Sequence, residues 1–74
     1  MKEYQLPIVF EKDQDGYFVS CPALQGCYSQ GDTYEEAFTN IQDAIKLHLK
    51  DRIAEKELIQ EHEMVSVSMI RLAL

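Results

Sequence analysis

The chain predicts an α+β domain of order βββαβ: one four-stranded mixed sheet covered on one face by one helix. Three observations carry this. All three glycines and both prolines fall within residues 7–31, so the front half is rich in turns and the back half opens without a breaker. Apolar residues alternate with period two near the start and again near the end. Between these lies a stripe of helical spacing that begins at a capping signal.

Tyr4, Leu6, Ile8 and Phe10 alternate with Gln5, Pro7, Val9 and Glu11, which places a first strand at about 4–11. Pro7 has no N–H to give a ladder, so it implies a bulge, or full pairing only from Ile8. Residues 12–16 form a turn whose strongest element is Asp15-Gly16. Tyr17 to Cys21 read as a second strand, about 17–21, stopped by Pro22. Ala23-Leu24-Gln25-Gly26 turns the chain again. A short third strand, about 27–30, is ended by Gly31.

A helix is expected over about 34–54. Thr33-Tyr34-Glu35-Glu36 fits a capping box, with Thr33 as N-cap and Glu36 reaching back. Asp32, Glu35 and Glu36 suit the positive end of the helix dipole. Tyr34, Ala37, Phe38, Ile41, Ala44, Ile45, Leu49 and Ile53 have the spacing of one buried face. No glycine or proline stops this helix, and its end falls between Arg52 and Glu57. Residues 55–62 are a mostly polar linker. Met64 to Met69 alternate as a last strand, about 64–69, and residues 70–74 form an apolar tail.

Three meander strands alternate in direction, so the third runs parallel to the first. A helical crossover returns the chain to the same end of the sheet, making the fourth strand parallel to both. It sits beside the first strand or outside the third, by a right-handed connection. One helix covers one face. The other face stays open for a partner or a second copy.

The 74 residues make a single domain, 1–74. A chain this short buries only ~60% of its unfolded surface, which leaves no room for a substrate cavity with a separate catalytic domain. Thirteen acids against seven Lys plus Arg give −6, spread along the chain. That balance argues against direct nucleic-acid binding, which needs clustered positive charge, and suits a basic protein partner. Two cysteines do not make a disulfide scaffold. No stretch approaches the ~18 apolar residues of a membrane span. These features imply a cytoplasmic protein with reduced thiols.

Few residues point to chemistry. Glu11, Asp13, Asp15 and Gly16 imitate the opening of a calcium loop, but Pro22 stands where the closing Glu belongs, and a solvated turn fits better. Cys21 and Cys27 are spaced too far apart for a typical zinc pair, and they read as small half-buried side chains. His48 has no acid or nucleophile at a catalytic spacing and reads as a packed helix residue. His62, between two glutamates, reads as exposed. No catalytic, metal or cofactor site is expected, and the chain is not read as an enzyme. Leu47 falls opposite the apolar stripe, near Glu36, Asn40 and Asp43. These four residues are the candidate partner contact. Leu72 and Leu74 are a second apolar candidate.

The stretch from Gly16 to Ala37 resembles the HicB-like antitoxin family. The resemblance rests on an aromatic-x-Val run at Tyr17-Phe18-Val19, then Pro22, Leu24 and Gly26-Cys27. It continues through Ser29, Gly31-Asp32-Thr33 and Glu35-Glu36-Ala37, with Asn40 and Ala44 on the helix. It covers about residues 4–54. Ala23 and Gln25 stand where many members carry Asp and Pro. The resemblance implies a partial RNase H-like fold without that fold's active carboxylates. It implies a homo-oligomer, dimer or tetramer. It further implies binding to a small basic HicA-type toxin, an mRNA-cleaving ribonuclease, whose active site the antitoxin blocks. Many members continue into a DNA-binding domain; without one, no direct operator contact is expected. The other readings are an orphan oligomeric module with another protein or ligand partner, and a metal-dependent nuclease remnant, for which Asp13, Asp15 and Asp32 show no converging spacing.

Overall fold

A computed structural model of the chain describes residues 2–59, 61 and 66–74. Three strands and one helix follow in order: β1 (Val9–Asp13), β2 (Gly16–Ser20), β3 (Tyr28–Gly31) and α1 (Tyr34–Ala54). The sheet order equals the chain order, and both neighbouring pairs are antiparallel.

The β1–β2 hairpin closes through Gln14 and Asp15, with Asp13 opposite Gly16. The Asp15 N–H donates to the Asp13 carboxylate at 2.8 Å, which fixes the turn. Gly16 has φ +131°, a conformation that a side chain strongly resists. From there Phe10 lies opposite Val19, and Val9 opposite Ser20. After Ser20 the second strand is over. Residues 4–8, expected as the first half of strand one, therefore have no ladder partner among the described residues. Leu6 and Ile8 nevertheless pack against the core.

The loop between β2 and β3 is two linked turns. The Leu24 N–H donates to the Cys21 carbonyl at 3.0 Å, and the Cys27 N–H to the Leu24 carbonyl at 3.1 Å. A bond from the Cys21 N–H to the Cys27 carbonyl, 2.9 Å, closes the loop. Its effect is to drive Leu24 inward. The buried core is Val19, Cys21, Leu24, Cys27, Ala37 and Ile41, three of them from or beside this loop. The two cysteines are 1% and 2% exposed, so they are full core members rather than half-buried ones.

Thr33 caps the helix: its hydroxyl accepts from the Glu36 N–H at 3.1 Å. Among the described residues the Glu36 carboxylate makes no return bond, so only half of the expected capping box forms. The helix lies over β3 and β2 and does not approach the backbone of β1. A Cβ built on Gly31 would come within 2.5 Å of the Ala37 backbone nitrogen, so only glycine allows this approach. Beyond Ala37 and Ile41, the stripe grades outward. Ala44, Ile45 and Leu49 are partly buried, while Tyr34, Phe38 and Ile53 are exposed.

Where a four-stranded mixed sheet is expected, the described residues form a three-stranded antiparallel one. Of the last strand, about 64–69, Met64 and Val65 lie outside the described residues. Ser66 to Met69 carry no strand and are exposed, as is the tail to Leu74. A strand gains its hydrogen bonds only on docking, and among the described residues this segment joins no ladder.

Candidate partner-binding surface

Five carboxylates line one groove: Glu11, Asp13, Asp15, Asp32 and Glu36, with Gln30 and Asn40 beside them. No Lys or Arg lines it. Backbone packing assembles it from three elements. Asp13 and Asp15 sit at the hairpin tip, and Asp32 and Glu36 at the helix start. The Gly16 α-carbon faces the Gly31 carbonyl so closely that a Cβ there would lie 2.7 Å from the oxygen and 3.4 Å from the Asp32 Cα. Two glycine contacts thus draw the hairpin tip, the end of β3 and the helix start together. A groove lined by one sign of charge attracts the opposite charge on a partner. Lys12 does not line the groove; its ammonium lies 5.8 Å from the centre of the Tyr17 ring.

The four residues expected from the sequence are split by the structure. Glu36 and Asn40 line the groove. Asn40 also has a fixed task, since its Nδ2 donates to the Gln30 carbonyl at 2.7 Å and ties the helix to β3. Asp43 and Leu47 are exposed further along the helix, Leu47 at 68%, and neither lines the groove. The carboxylates of the hairpin were not among the expected contacts. Glu11, Asp13 and Asp15 follow one another along the hairpin, but no linear spacing joins them to Asp32 and Glu36.

Strand alternation puts Phe18 and Tyr28 on the sheet face away from the helix. Their rings stack with centroids 5.7 Å apart and are 39% and 63% exposed. Glu11 stands opposite Phe18 in the register. An aromatic pair beside an acidic groove is the composition of a protein-docking surface, with apolar contact at the centre and charge at the rim.

The remaining polar groups act structurally. His48 Nδ1 accepts from an Arg52 Nη at 2.9 Å; the same guanidinium donates to the Gln25 carbonyl at 2.8 Å and lies 3.5 Å from the Glu57 carboxylate. This clamps the end of the helix to the β2–β3 loop. Burial raises the thiol pKa of both Cys21 and Cys27, so they stay protonated and unreactive near neutrality. Among the described residues, no group of three or more His, Cys, Asp or Glu is placed to hold a metal ion. His62 lies outside the described residues.

Comparison with known proteins decides the family. A family described as the HicB-like antitoxin of bacterial toxin–antitoxin systems matches residues 6–72. The chain belongs to the HicB-like antitoxin family. Among its relatives, a UPF0150 protein of Synechocystis is 43% identical over 63 residues, covering 84% of this chain and 80% of the relative. One from Helicobacter pylori is 54% identical over 48 residues, 65% and 67% of the two chains. One from Archaeoglobus fulgidus is 34% identical over 64 residues, 85% and 87%. No solved structure gives a significant match. No helix among the described residues of this HicB-like chain is long and apolar enough to cross a membrane.

Proposed function

We propose that this HicB-like chain is the antitoxin of a type II toxin–antitoxin pair and inhibits a small basic HicA-type ribonuclease that cleaves mRNA. Its role is binding, not catalysis, in the cytoplasm. It acts as a homo-oligomer on a sheet of partial RNase H-like kind that lacks that fold's active carboxylates. The single observation that supports this reading most is the acidic groove, set in a member of an antitoxin family. A basic ribonuclease presents to RNA the same positive surface that five carboxylates attract. Glu36 contributes from the groove, and Asp43 and Leu47 extend the contact along the helix.

The test is to recover the partner and then assay it. The tagged chain is used to capture proteins from its own cells, and any small basic protein recovered is tested for mRNA cleavage. Cleavage that stops when the antitoxin is added in stoichiometric amount is the expected result. A captured ribonuclease that keeps cutting in excess antitoxin would overturn the reading, as would recovery of nothing but further copies of this chain. The latter result would favour the orphan oligomeric module.

A further inference from the structure

The helix packs on one face of the sheet. On the other face the strand register sets out two short rows. Glu11, Phe18 and Gln30 lie side by side in one, and Val9, Ser20 and Tyr28 in the next. Phe18 and Tyr28 meet diagonally across β2 and β3, their ring centroids 5.7 Å apart and their planes 30° from parallel. They are 39% and 63% exposed, so their outer sides meet water. Rings stacked on each other on an open sheet face are a platform for another flat group.

Two flat groups of biological polymers stack on such rings: the bases of a single-stranded nucleic acid and the guanidinium of arginine. Charge decides between them. Glu11 stands directly opposite Phe18, where cross-strand Cβ atoms are about 5 Å apart. Asp13 is the next residue of β1 on that face, about 7 Å off along the diagonal. Both are exposed. Phe18 also lines the groove of five carboxylates, which has no Lys or Arg along it. The cation–π contacts among the described residues are those of Lys2 with Tyr4 and Lys12 with Tyr17, so neither falls on the Phe18–Tyr28 pair. A phosphate backbone is repelled from rings rimmed in this way, and a cation is drawn to them. Lysine meets this surface as a point charge. Arginine meets it twice, because its flat side stacks on a ring while its edge N–H groups fork onto a carboxylate.

We infer that the open sheet face receives an arginine side chain of a basic protein partner, its guanidinium stacked on the Phe18–Tyr28 pair and its N–H groups donating to the Glu11 carboxylate. Gln30, on the β3 flank of Phe18, is neutral, so the donating edge of the guanidinium turns toward β1. The groove attracts the partner's positive charge in general, and the ring pair selects arginine over lysine. The inference rests on the basic partner proposed above and goes beyond it in naming the face, the residue type and its contacts.

Amide NMR of the isotope-labelled full chain tests it. Tetra-arginine, tetra-lysine and a single-stranded oligouridine are titrated separately at physiological salt, where bulk attraction is screened. Tetra-arginine should shift the amides of Glu11, Phe18 and Tyr28 and bind about threefold more tightly than tetra-lysine. In the double variant Phe18→Leu, Tyr28→Leu that preference should vanish with helical circular dichroism unchanged, because both rings are exposed and outside the core. Glu11→Gln keeps both rings and should weaken the arginine peptide more than the lysine one, which tests the inference even if the double variant misfolds. No binding, equal binding of the two peptides, a preference that survives these substitutions, or shifts confined to another surface each overturn the inference. Binding of oligouridine across the ring pair overturns it in favour of RNA. A captured ribonuclease inhibited equally well by the double variant sinks this inference and leaves the antitoxin reading standing. Failure to capture any ribonuclease sinks that reading and leaves the peptide result untouched.

Discussion

Leu24 is the largest fully buried side chain that does not come from a strand or the helix. It is held there by two turn bonds and fills the core beneath the helix. With six residues in that core, little else is available to close over a gap. Leu24→Ala should cost ~2–5 kcal/mol, a large share of the stability of a domain this small. Denaturant titration should show a lower midpoint with an unchanged slope. The two cysteines beside it make a pH prediction. Their thiol pKa values are raised above the usual 9.0 by burial, with Cys21 adding to the shift on Cys27. The folded state therefore favours the neutral thiol more than the unfolded chain does. The stability linked to these thiols is fully present below pH 9.0, where the unfolded thiols are also neutral. It is lost as pH rises through the higher folded values. Thermal melts should fall on the alkaline side in the native chain and fall less in a Cys21→Ala, Cys27→Ala variant. Alkylation of the native thiols at pH 8 should be much slower than in denaturant.

At the level of elements, the helix depends on one hydroxyl at its start. Thr33→Ala leaves the Glu36 N–H without its acceptor and should cost about 1 kcal/mol, read as a lower melting temperature. That start was legible because the capping residue, the early acids and the apolar stripe agree. The two hairpins were legible from Asp15-Gly16, Pro22 and Gly26. Two things were not. Local spacing does not carry strand pairing: Tyr4 to Ile8 alternate as well as any strand, yet β2 ends at Ser20, before it can reach them. The same holds for the expected last strand, of which the described residues Ser66 to Met69 form none: its alternation says it can pair and not with what. Nor does periodicity give the inward loop side chain Leu24, because turn bonds place it rather than a helical or strand repeat. The acidic groove was legible only in part. Glu36 and Asn40 could be read from the helix face, but Glu11, Asp13 and Asp15 join them only through the Gly16 and Gly31 contacts.

For the molecule as a whole, charge is what a partner meets first. Of the thirteen acids behind the net −6, five share one groove without a cation lining it. If attraction between this groove and a basic toxin guides the encounter, the association rate should fall steeply with added salt while dissociation changes less. Replacing Asp13, Asp15 and Asp32 together by Asn should slow association by about tenfold at low salt. Stopped-flow mixing checks both, and an association rate that ignores salt would sink the steering argument.

The chain-order sheet also has a kinetic consequence. The connections between β1, β2, β3 and α1 are two, seven and two residues long, so each strand's neighbour in the sheet is its neighbour in sequence. Closing such short loops costs little entropy, and contacts this local form fast. The body can therefore assemble on a single chain, even while the last residues are still being synthesised. Refolding of the body should thus show a fast phase whose rate is independent of protein concentration.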